Sequence, residues 1–207
     1  MLKPYAKRAR GAFFLAASGV CFVSGAFAAE NTISAGKGEN PYRAAKIGDY
    51  AVFRLINEIE GEKSEGILRM VLAAKDEKEA IVKIEISIAG EQQPPQEQRI
   101  ALADPYDPWQ PLQPGAQVEK LAEGEEVIQV GKKEYRCQWQ QVKIIVPITG
   151  GQTVTTSKSW FAKEAPLSGL VKMESRFESV IGEEKIASIS SMEMTEAGNR
   201  QSATEAR

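Results

Sequence analysis

Histidine is the residue most used for chemistry at neutral pH, and this chain of 207 residues has none. That excludes Ser-His-Asp and Cys-His nucleophile activation and every His-rich zinc or iron site. Two cysteines occur, Cys21 and Cys137, so transition-metal binding is disfavoured as well. What remains open is carboxylate chemistry, a Ser-Lys pair, or Ca²⁺ held by oxygen ligands. Ser157-Lys158 and Glu125-Glu126 are the adjacent pairs of suitable type. Neighbours on a strand point to opposite faces, so neither pair converges. Asp104 and Asp107 each precede a proline, and they read as turn formers rather than metal ligands. The expectation is therefore a protein without catalysis, metal or cofactor.

Cys137 sits in Tyr135-Arg136-Cys137-Gln138-Trp139, where odd positions share a face. It reads as a core thiol, since no base or helix N-terminus stands beside it to make a thiolate. The stretch 131–175 also carries two of the three tryptophans. Trp139, Trp160, Met173 and Phe177 are the candidate lining for a small apolar ligand. Each is also an ordinary core residue for a β-sheet.

The elements that position these side chains are strands. Residues 80–88 alternate Ala, Val, Ile, Ile and Ile with more polar partners, the period of two that gives a sheet one buried and one wet face. Further strands are expected at 50–59, 66–74, 98–103, 125–130, 153–161, 170–181 and 185–195. Turns are expected at Glu60-Gly61, Lys75-Asp76, Gly131-Lys132, Gly150-Gly151 and Gly182-Glu183. In the strand from 133 onward Tyr135, Cys137 and Trp139 lie on odd positions, whereas Val142, Ile144, Val146 and Ile148 lie on even ones. A bulge near Gln140-Gln141 would reconcile them; without one the two halves face opposite sides. Short helices are expected at 40–48, where Asn40-Pro41 reads as N-cap and first helical position, and within 116–123. Residues 104–115 hold four prolines and read as a crossover loop or lid anchored by Trp109. The fold class is mainly β: a curved antiparallel meander of eight or nine strands, a half-barrel or open barrel with one or two short helices.

Residues 1–28 read as a secretory leader. Lys3, Lys7, Arg8 and Arg10 precede an uncharged run over 12–23, and Ala26-Phe27-Ala28 is an A-x-A site that places cleavage between Ala28 and Ala29. The run is too short for a bilayer, which needs about 20 residues. Cys21 follows Ser18-Gly19-Val20, a poor lipobox. A spacer is expected at 29–39, a single β domain at 40–196 and a disordered tail at 197–207. The leader takes four of the 26 basic residues and none of the 28 acidic ones, which leaves a net charge of −6. That balance argues against nucleic acid or an anionic membrane surface as partner. The chain is expected in the periplasm or outside the cell, with an apolar small molecule or an envelope protein as its candidate partner. Oligomeric state is not legible.

A strand ending in Trp160, a loop with Pro166, then Gly169-Leu170-Val171-Lys172 resembles uncharacterised exported bacterial β proteins, as does 131–137. It is also distantly similar to the periplasmic lipoprotein-carrier (Lol-type) half-barrel. That resemblance implies a curved sheet with helices across its mouth. It assigns no functional residue.

Overall fold

The structure is a computed structural model that describes residues 39–106, 115–181 and 184–200. The leader with its Ala28-Ala29 junction, Cys21, Asp107 and Trp109 lie outside the described residues. Ten strands form one open antiparallel sheet: β1 Asp49–Ile59, β2 Glu62–Lys75, β3 Glu79–Ile88, β4 Glu91–Gln92, β5 Gln96–Ala101, β6 Gln117–Val130, β7 Lys133–Ile148, β8 Gly151–Phe161, β9 Leu170–Ile181 and β10 Glu184–Asn199.

Tight turns set the register. Glu60-Gly61 and Ala89-Gly90 both take positive φ at the two central positions, the backbone twist that joins adjacent antiparallel strands. The order is β4-β3-β2-β1-β10-β9-β8-β7-β6, with β5 also on the outer side of β3. The chain thus meanders from β1 out to one edge, crosses to the other, and meanders back until β10 zips onto β1. The proline-rich segment is that crossover. Cα atoms of β6 and β10 approach within 8 Å although three strands lie between them. In a flat sheet such strands would sit roughly 19 Å apart, so this side of the sheet is strongly curled.

The inward face is read from the pairing. Ile86, Leu68, Phe53 and Met194 form one row across four strands, and Ile84, Met70 and Ala51 form the next. Phe53, Leu68, Leu72 and Val82 are at most 2% exposed, and each buried side chain of this size contributes about 1.5–3 kcal/mol.

Several expectations change. The helix expected over 40–48 is one 3-10 turn, Pro41–Arg43. Asn40 caps it as foreseen, accepting from the Tyr42 N–H at 3.1 Å. The Lys75 ammonium then donates to the carbonyls of Arg43 and Ala45 at 2.7 and 2.6 Å, acceptors that a continuing helix would use for itself. Residues 116–123 are not helical but open β6, because β7 needs backbone partners on its outer side as far as Ile145. The bulge is not on β7, which pairs with β8 without a slip from Gln138 to Ile148. It falls on β6 at Leu121, opposite Gln141 and Val142. The two halves of β7 therefore do face opposite sides. β10 runs on through Asn199, past the expected end at Thr195.

Candidate functional site

An open cleft of about 1210 Å³ lies at the mouth of the curl. One wall is the N-terminal turn with Asn40, Pro41, Ala44 and Ala45, joined by Tyr106; the opposite wall is the loop 162–169. Lys120 and Glu123 of β6, Gln138, Trp139 and Gln140 of β7, Phe161 of β8 and Ala197 of β10 complete it.

Hydrogen bonds hold the first wall. Asn40 Nδ2 donates to the carbonyls of Ala101 and Asp104 at 3.0 and 3.2 Å, and Arg43 Nε donates to the Leu102 carbonyl at 2.7 Å. Tyr42 is buried with its ring edge-on to Tyr106 at 6.0 Å. Burial pushes its phenol far above the usual range. The opposite wall closes on itself, with Ala162 N donating to the Gly169 carbonyl at 2.8 Å. Ala165 and Leu167 there are buried in the core.

At the β6 side Lys120 and Glu123 form an ion pair. Glu123 stands directly across from Gln140, and Gln140 directly across from the buried Ser159. The Gln140 Nε2 is buried and has no hydrogen-bond partner.

The four candidate lining residues do not converge. Trp139 and Trp160 are cross-strand partners on one face. The β8–β9 register puts Trp160 opposite Lys172 and Ser159 opposite Met173, so Met173 and Phe177 lie on the other face. Met173 packs against the core beside Met192, and Phe177 is half-buried between Thr155 and Ser188. Trp139 alone of the four lines the cleft.

The tryptophan pair is held by charge. Lys158 Nζ stands 3.9 Å from the Trp139 ring centre and 4.4 Å from that of Trp160, with Lys172 Nζ at 5.0 Å from the latter. Such contacts contribute about 0.5–1 kcal/mol each at exposed sites. The buried Trp160 indole donates to Glu126 Oε2 at 2.8 Å. Lys172 bonds Glu174 at 2.8 Å. That hydrogen bond raises its pKa against the opposing effect of burial. Trp139 lies flat over Gly124, where a Cβ would come within 2.8 Å of the indole.

Ser157 and Lys158 point apart, as strand geometry requires. Ser157 shares a 2.8 Å hydrogen bond with Ser175 on the inner face. Cys137 is 2% exposed and borders a second, smaller cleft. Burial first, and then the Glu126 and Glu164 charges, push its thiol up to about 11, so it stays protonated at neutral pH. Among the described residues no group of three or more Cys, Asp or Glu is placed to hold a metal ion. No helix among them is long and apolar enough to cross a membrane.

Sequence reasoning missed the cleft because its β6 wall was read as helix and its other walls as turns. The signal available was the run Gln138, Gln140, Gln141 inside an otherwise apolar strand.

No protein-family model matches the chain, and no curated protein matches it. One solved structure is similar, a Bacteroides fragilis protein inferred to be exported and carrying a YmcC-like fold. It is 11% identical, covers 75% of this chain and 97% of its own, and superposes with a TM-score of 0.41. A likeness at that level carries no functional argument. At the mouth, where the lipoprotein-carrier resemblance implies helices, the described residues hold a single 3-10 turn.

Proposed function

We propose that this is an exported, non-catalytic protein of the bacterial envelope that holds an amphipathic, lipid-like molecule in the cleft at the mouth of its curled sheet. The observation that carries the reading is the cleft itself. Its 1210 Å³ is at the upper end of the usual ligand-pocket scale. Its lining joins Trp139, Phe161, Leu167 and Ala197 to Gln138, Gln140, Asn40 and Glu123. Apolar walls with a few placed polar groups suit a ligand that is greasy at one end and polar at the other. The leader-like residues 1–28 and the excess of acid over base are in keeping with export and with a partner that is not nucleic acid.

Native mass spectrometry of the protein purified from its own envelope tests this. A bound mass of lipid size is expected, and Trp139→Ala lowers its occupancy. A bare protein mass under gentle desolvation, with the same result after extraction in mild detergent, removes the reading. A second reading, a structural module docking an envelope protein, draws on the fully packed core of β1–β3, which leaves no room for a ligand on that side.

A further inference from the structure

We propose that the cleft contains a polar subsite at Gln140 that takes the neutral, hydroxyl- or amide-bearing head of the ligand. The inference rests on the cleft reading and specifies its ligand chemistry.

Gln140 Nε2 is buried without a partner on the cleft wall. An unsatisfied buried donor is costly, and native structures keep few of them. A ligand group at this point removes the deficit. The neighbours decide its character. Glu123, the cross-strand neighbour of Gln140, is paired with Lys120, so that ammonium is already occupied and is not left over to neutralise an anionic head. Glu123 in turn keeps a cationic lysine at its carboxylate, which removes the incentive for an ammonium head. A carboxamide can also turn over and exchange its donor for its acceptor. A hydroxyl or an amide both donates and accepts, and so matches Gln140 in either orientation. A sulfate, carboxylate or quaternary ammonium matches at most one.

The test uses three probes with the same octyl tail below their micelle concentrations: octyl glucoside, octyl sulfate and octyltrimethylammonium. Binding to the full mature chain is read by calorimetry. Octyl glucoside is expected to bind about tenfold more tightly than either charged probe, the equivalent of one good hydrogen bond. In Gln140→Met, which keeps length and volume, that preference is expected to vanish. The charged probes keep their affinity, and the melting temperature does not fall. Equal affinity for the three heads in the wild-type protein overturns the subsite while leaving the cleft standing. A preference that survives in Gln140→Met also overturns it. Failure of all three probes to bind removes the cleft reading together with the subsite.

Discussion

On the β1–β3 side of the sheet, Phe53 points inward between Leu68 and Met194 and is sealed from water. On the β6–β8 side, Trp139 and Trp160 point the other way. Two lysines stand over their rings, and a glutamate binds the Trp160 indole. Both regions are antiparallel strands of similar length. The first obeys one parity from end to end, so every second residue reaches a single apolar layer. The second contains a strand, β7, whose apolar positions change parity halfway and whose partner β6 carries the compensating extra residue. One region therefore fills its interior and the other leaves space. An aromatic residue in the first is a matter of packing, and an aromatic residue in the second is one wall of an opening.

The sharpest way to break this contrast is to truncate on each side. Phe53→Ala removes a fully buried ring and is expected to cost about 3–5 kcal/mol in urea unfolding. Trp139→Ala, at a half-buried ring beside an open cleft, is expected to cost clearly less. Equal losses would mean that the cleft side is as tightly packed as the filled one.

A subtler change tests what orients Trp139. Gly124→Ala places a methyl within 2.8 Å of the indole and forces the ring or β6 to shift. The expected cost is about 1–3 kcal/mol, with a change in tryptophan fluorescence. An unchanged spectrum would show that Gly124 does not set the ring.

The smallest expected effect is in pH. The folded Cys137 thiol holds its proton up to about 11, against the usual 9.0. Between those values the folded state binds more protons than the unfolded chain, so its contribution to stability falls as pH rises. The melting temperature is expected to decline from pH 9 to 11. Cys137→Ala should flatten only part of that decline, because Tyr42 and Tyr50 are raised too and continue it at the alkaline end. A decline unchanged by the substitution would assign it wholly to the tyrosines.

Much of the sheet was legible residue by residue. The alternation over 80–88 placed Ala80, Val82 and Ile84 in the core, where they are at most 2% exposed. The hairpin expected at Gly150-Gly151 is present one position earlier, with Gly150 at φ 81 and Gly151 opening β8. The strand over 117–124 was not legible. Val118, Leu121 and Ala122 repeat at helical spacing, and only the demand of β7 for backbone partners makes that segment extended. The cleft was not legible either. Glu123 and Gln140 are 17 positions apart, and Gln140 and Ala197 farther still; nothing local relates them.

What the amino-acid order determined by itself is the class: strands with alternating faces, turns where two residues tolerate positive φ, and no histidine for catalysis. Those are short-range properties, set by side-chain period and backbone sterics. Only the tertiary structure decided which faces meet. The β6 bulge, the crossover that sends the chain from one edge to the other, and the β10–β1 closure depend on pairings between residues far apart in sequence. Together they curl one side of the sheet, and the cleft with its unpartnered Gln140 exists because of that curl.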